Sequence, residues 1–97
     1  MSGPGYDDRD GLIWTNGRLL PWRDARLQLL THALHYASAV FEGERAYDGQ
    51  LFKLEEHSKR LHKSASAMGF EIPWSVSEVD DACKEVLEAN GITDGYV

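Results

Sequence analysis

Two turn dipeptides, Asn16-Gly17 and Asp48-Gly49, constrain the fold of this chain more than any other feature. The first lies between the runs Leu12 to Thr15 and Arg18-Leu19-Leu20. The second lies between Tyr47 and Leu51-Phe52-Lys53. A two-residue type I′ turn needs positive φ at both central positions, and Asn-Gly and Asp-Gly supply it cheaply. Two antiparallel hairpins are therefore predicted. Pro21 ends pairing after the first or confines it to an edge, because proline has no N–H to donate. Ala25 to Leu30 is a candidate returning strand. Ser38 to Tyr47 is read as the strand that enters the second hairpin.

The second half of the chain changes period. Leu54, Ser58, Leu61, Ala65 and Met68 recur at intervals of four and three, one stripe on a helix. Gly69 is placed to stop that helix as the residue after its C-cap. The polar face carries Glu55, Glu56, Lys59, His62 and Lys63, and Glu55 and Glu56 can each pair weakly with Lys59. Pro73-Trp74 breaks the pattern, and Ser75-x-x-Glu78 is a capping box. The helix it opens should run to about Asn90, with Val79, Ala82, Cys83, Val86 and Leu87 on one face and Gly91 ending it. Tyr96-Val97 reads as the start of a further strand. Strands early and helices late predict an α+β fold: an antiparallel sheet of hairpins with two helices packed on one face.

Composition narrows the function without choosing one. The chain has 97 residues, one domain's worth, with a formal net charge of −6. That charge argues against nucleic acid or an anionic membrane as the main partner, since both attract basic surfaces. Cys83 is the single cysteine, so no intrachain disulfide or cysteine-based zinc site can form. No stretch approaches the roughly 20 apolar residues of a membrane span, and no signal peptide is evident. A cytoplasmic protein is expected. Residues 1–11 are read as a flexible tail and 12–97 as a single small domain.

Few residues stand out as carriers of chemistry. His32 and His35 lack a third ligand, and His57 and His62 have the wrong spacing for a helical metal pair, so no metal site is expected. Cys83 lies on the apolar face of its helix, where a thiol is normally inert. No nucleophile elbow, phosphate loop or dinucleotide fingerprint is present. Arg60 lies beside the apolar stripe rather than opposite it. Its ordinary reading is a solvated side chain, although arginine is also the side chain best suited to grip a phosphate. Tyr36, Phe41 and Tyr96 are equally open, since aromatics near strands usually fill cores but a tyrosine can line a polar-tipped pocket. The residues alone assign no reaction.

The run His32-Ala-Leu-His-Tyr-Ala-Ser-Ala-Val-Phe-Glu-Gly43 resembles a signature of the branched-chain amino acid aminotransferases, fold type IV enzymes dependent on pyridoxal phosphate. Ile13 to Gly17 resembles that family's opening hairpin, and Glu44 to Tyr47 its continuing strand. His57 to Ala65 resembles the helix that carries its phosphate-binding arginine. Gly95-Tyr96-Val97 resembles the start of a later strand. The resemblance covers residues 12–97.

It implies that Arg60 holds the cofactor phosphate and that Tyr36, Phe41 and Tyr96 bind substrate. Phe41 and Tyr96 would line the pocket for an aliphatic side chain. Tyr36 would reach the neighbouring subunit's pocket in a homodimer. The implied reaction moves the amino group of Leu, Ile or Val to 2-oxoglutarate. None of Lys53, Lys59, Lys63 or Lys84 matches the motif of the Schiff-base lysine, so no catalytic residue is assigned. The chain is expected to be a piece truncated before the catalytic domain and inactive alone. Ala37 and Glu44 stand where the family often has Gly and Ile. Two other readings remain: another fold type IV enzyme, such as a D-amino acid aminotransferase or aminodeoxychorismate lyase, and a non-catalytic interaction domain.

Overall fold

A computed structural model describes residues 5–97. The first four residues of the expected tail, 1–4, lie outside the described residues. Both predicted hairpins are present. Strand β1 (Leu12–Thr15) pairs antiparallel with β2 (Arg18–Pro21), and Asn16 and Gly17 turn between them at φ 48° and 95°. After a 3-10 turn at Trp22–Asp24 and a short helix α1 (His32–Tyr36), β3 (Arg45–Tyr47) pairs with β4 (Gln50–Leu51). Asp48 and Gly49 make that turn at φ 51° and 78°. Both dipeptides therefore sit in the left-handed region that selected them.

Helix α2 (Leu54–Ala67) and helix α3 (Val76–Ala89) follow. Their ends are built as the sequence implies. At the N-terminus of α3 the Ser75 hydroxyl accepts from the Glu78 N–H, and the Glu78 carboxylate accepts from the Ser75 N–H, both at 3.1 Å. This reciprocal box satisfies two otherwise orphaned donors and is worth about 1 kcal/mol. Both helices close with a glycine in the left-handed region. Phe70 N–H bonds the Ala65 carbonyl and Gly69 N–H the Ser66 carbonyl, while Ile92 bonds Leu87 and Gly91 bonds Glu88. That paired pattern satisfies the last carbonyls of each helix.

The core lies between the helices and the strands. The buried apolar side chains among the described residues are Ala46, Ala65, Ala82 and Leu87. Ser58, on the predicted stripe of α2, has no exposed surface. Small residues at Ser58, Ala65 and Ala82 let α2 and α3 approach closely. Met68, the last position of that stripe, caps α2 and is half exposed rather than buried. Asn90, at the end of α3, clamps the first hairpin. Its Oδ1 accepts from Leu12 N–H at 2.8 Å, and its Nδ2 donates to the carbonyls of Leu12 at 3.0 Å and Val86 at 2.8 Å. Trp74 packs edge-on against Trp14, 5.2 Å between ring centres, and its carbonyl is hydrogen-bonded to His62 Nε2 at 2.7 Å.

The α+β class holds, with four differences in detail, the first being that α1 is a third, short helix beside the two predicted. The strands form two sheets, β1-β2 and β4-β3-β5, rather than one, with β5 (Gly95–Tyr96) antiparallel to β3. Ala25 to Leu30 forms no strand: its leucines have no partner backbone, and Leu27, Leu29 and Leu30 are each about three-quarters exposed. Of Ser38 to Tyr47, only Arg45–Tyr47 is a ladder strand, and Glu44 and Val97 exchange two further backbone hydrogen bonds of 2.8 Å. Residues 5–11 contact the first hairpin's exit, where Arg23 bridges Asp8 and Asp10 at 2.7 Å each. Among the described residues no helix is long and apolar enough to cross a membrane.

Candidate functional site

Arg60 stands on the exposed side of α2, two residues from the buried Ser58. Its guanidinium is held by Glu42, from the segment between α1 and β3. Nε donates to one Glu42 oxygen at 2.9 Å and Nη2 to the other at 2.7 Å, a two-point fork. His57, one turn earlier on α2, meets the same carboxylate through Nδ1 at 2.7 Å. Arg60 Nη2 also lies 3.4 Å from His57 Nδ1, but a ring nitrogen that donates to Glu42 cannot accept there. Hydrogen bonds from Arg60 first, and then from His57, bring the Glu42 carboxyl down to about 2, against the opposing effect of burial. Arg60 is raised by the same partner.

This cluster has the chemistry of an anion anchor. Two N–H groups along one edge of the guanidinium are occupied by Glu42, and Nη1 makes no hydrogen bond among the described residues. The side chain is 64% exposed, so a phosphate can reach that free edge from solvent. The donor set therefore fits the phosphate of a cofactor such as pyridoxal phosphate.

The aromatic residues chosen from the sequence are all at the surface. Phe41 is 88% exposed, Tyr96 76% and Tyr36 72%, so none of them fills the core. Tyr96 lies opposite Arg45 across the β3-β5 pairing, and the Arg45 guanidinium covers its ring at 4.7 Å. Phe41 immediately precedes Glu42 and so sits beside the Arg60 cluster in sequence. The ring neighbours of Tyr36 are His32 and His35, at 4.6 and 6.5 Å. A cavity of about 480 Å³ between β1, α3 and β5 takes in Tyr96 but not Tyr36, Phe41 or Arg60. The described residues thus bring Arg60 together with Glu42 and His57, and Tyr96 with Arg45, but do not close the four expected residues around one pocket.

Glu42 and His57 were not picked out by sequence reasoning. The available signal was the interval His57 to Arg60, which places both side chains on one face of a helix. His35 is hydrogen-bonded to the Leu29 carbonyl, and His62, placed on the polar face by its spacing, is instead part-buried and meets the carbonyls of Ser58 and Trp74. Cys83 is pushed up to about 12, first by burial and then by the neighbouring charges of Glu44 and Asp80, so its thiol is not a nucleophile near neutral pH. Glu44 is 4% exposed with Oε2 lacking a hydrogen-bond partner, and burial raises its pKa.

With the geometry in place, the comparisons with known proteins agree. The model of the amino-transferase class IV family matches residues 39–97, from just before Phe41 through Arg60 to Tyr96. A Rickettsia felis protein named "Probable branched-chain-amino-acid aminotransferase" is 52% identical over 85 residues, which are 88% of this chain and 29% of that protein. A branched-chain-amino-acid aminotransferase from Pseudomonas aeruginosa is 44% identical over 94 residues, 93% of this chain and 31% of that protein. The crystal structure of the Escherichia coli branched-chain amino acid aminotransferase superposes with a TM-score of 0.86 at 39% identity, over 91% of this chain and 30% of that one. The T.th. branched-chain amino acid aminotransferase, solved with N-(5'-phosphopyridoxyl)-L-glutamate, gives a TM-score of 0.86 at 43% identity, over 91% of this chain and 31% of that one. The chain thus spans about 30% of the length of the relatives it matches. The match covers more than half of the chain, and the chain belongs to the amino-transferase class IV family.

Proposed function

We propose that these residues serve a branched-chain amino acid aminotransferase that uses pyridoxal phosphate to move the amino group of Leu, Ile or Val to 2-oxoglutarate. The observation that carries this reading is the 52% identity to a protein of that name, sustained over 88% of the chain. The exposed edge of Arg60 supports it, because a phosphate-bearing cofactor needs such a donor. Bound pyridoxal phosphate would supply the electron sink that amino-group transfer requires.

In this reading Arg60 binds the cofactor phosphate. Phe41 and Tyr96 wall the pocket for the aliphatic side chain, where apolar contact discriminates only modestly among Leu, Ile and Val. Tyr36 reaches the pocket of a second copy in a homodimer. The Schiff-base lysine is not among Lys53, Lys59, Lys63 and Lys84, so the 97 residues alone are proposed to be inactive and the reaction belongs to a longer protein. A cytoplasmic location goes with the same reading.

The test is a substrate panel on the protein that carries this chain. With pyridoxal phosphate present, L-leucine, L-isoleucine and L-valine should each yield glutamate from 2-oxoglutarate, and the active species should have the mass of a homodimer or a multiple of it. Turnover of D-alanine but none of the three would replace this reading with the D-amino acid enzyme. A well-folded monomer without affinity for pyridoxal phosphate would favour an interaction domain.

A further inference from the structure

A three-membered polar cluster joins the segment before β3 to helix α2. Glu42 accepts three hydrogen bonds: two from Arg60, at 2.9 and 2.7 Å, and one from His57, at 2.7 Å. Its side chain is only 10% exposed, whereas that of Arg60 is 64% exposed. The covered member of the pair therefore holds the exposed one. We propose that Glu42, itself oriented by His57, is the positioning residue that fixes which edge of Arg60 is offered to phosphate. This inference rests on the reading of Arg60 as the cofactor's phosphate anchor.

The physics favours positioning over simple charge balance. A free arginine on a helix samples many rotamers and must give them up when it binds an anion. The two-point contact to Glu42 fixes that choice beforehand, and the planar fork then points the Nη1 edge away from the carboxylate. A carboxylate beside the anchor also subtracts from its field. That subtraction is weakened by solvent, because the offered edge is exposed to water. Ordering is therefore the larger effect. His57 Nδ1 occupies the Glu42 oxygen that also receives Arg60 Nη2, which keeps the carboxylate from rotating out of the fork. Glu42 touches neither substrate nor the reacting carbon in this scheme; it acts through Arg60.

The test compares pyridoxal phosphate with pyridoxal, which lacks only the phosphate, by direct binding titration on the protein that carries this chain. The ratio of the two affinities isolates the phosphate contribution. Glu42→Gln keeps the side chain's shape but removes one acceptor of the fork. It should weaken pyridoxal phosphate by about tenfold and pyridoxal by less than about twofold. In an Arg60→Ala background the same change should have almost no further effect. His57→Gln should give a smaller loss in the same direction, and it tests the idea independently of how well the Glu42 variant folds.

Equal losses for both ligands would show a merely structural residue and overturn the inference. So would an undiminished loss in the Arg60→Ala background, or an affinity for pyridoxal phosphate that is unchanged or tighter in Glu42→Gln. If Arg60→Ala by itself leaves pyridoxal phosphate binding intact, the anchor reading fails, and that outcome is separate from any failure of Glu42 alone.

Discussion

The molecule divides into a half that covers its own apolar surface and a half that does not. In the first, α2, α3 and the β1-β2 hairpin bury Ser58, Ala65, Ala82 and Leu87, and the Asn90 side chain ties α3 to the Leu12 backbone by two hydrogen bonds. In the second, the segment from Ala25 to Phe41 presents Leu27, Leu29, Leu30, Leu34, Tyr36 and Phe41, each more than half exposed. Both are rich in apolar residues, so hydrophobicity does not separate them. The difference lies in whether a covering surface stands within the described residues. A helix stripe finds its partner in the next helix, whereas the leucines of the second half face no element of this fold. Recognition surfaces are made this way, because apolar area that is not used in folding is free for binding.

Asn90 holds the packed half together at its edge. Asn90→Ala removes three hydrogen bonds between partly buried groups and leaves the Leu12 backbone without its side-chain partner. A loss of about 2–3 kcal/mol is expected. Thermal unfolding should show it as a drop of roughly 10 °C or more for a domain of this size. A change near zero would mean that the clamp does not hold the two elements together.

A smaller effect of opposite sign is expected at Glu44, where the packed half carries a defect of its own. Burial raises the pKa of this carboxyl in the folded state, so the fold favours its protonated form. Its favourable contribution is complete below the ordinary carboxylate pKa and disappears as pH rises through the raised folded value. Once ionised, the group is a net cost, with Oε2 lacking a partner. Glu44→Gln should therefore stabilise the protein by about 1 kcal/mol at pH 7. Denaturant titrations of the two proteins should converge as the pH is lowered. A gap that widens in acid would refute this account.

The smallest effect belongs to the uncovered half. Ala37 closes α1 at φ 54°, a left-handed conformation that costs a residue with a Cβ about 1–2 kcal/mol. Glycine adopts it freely but gives up more unfolded-state entropy, about 0.4–1 kcal/mol. Ala37→Gly should thus stabilise by roughly 0.5–1 kcal/mol, visible as a small rise in the unfolding midpoint. A lower midpoint would show that Ala37 makes contacts that outweigh its strain.

The same division explains what could be read from residues. Local chemistry was legible: Asn16-Gly17, Asp48-Gly49, the Ser75–Glu78 box and the glycines at 69 and 91 each act within a few residues, and each took the predicted form. The helical stripes were legible too, apart from Met68. What failed was the strand reading of Ala25 to Leu30 and most of Ser38 to Tyr47. Apolar content there, mostly leucines and aromatics with Val40 the one β-branched residue, marks surface that wants cover, and without a partner backbone it does not become a ladder. The Glu42–Arg60 pairing spans 18 residues and two elements, so no periodicity reports it. Arg60 was singled out by resemblance and by the general affinity of guanidinium for phosphate; its partners needed three dimensions.

Ser58 has a consequence beyond the core it fills. It is sealed against its surroundings, and Arg60 lies two positions along the same rigid rod on the solvent side. The depth to which α2 sinks at Ser58 sets the height at which the guanidinium stands, as a footing sets the reach of a crane. A bulkier side chain at 58 would lift the rod and carry the arginine with it, away from a carboxylate anchored in a different segment. A short, hidden side chain thus governs the aim of a long, exposed one.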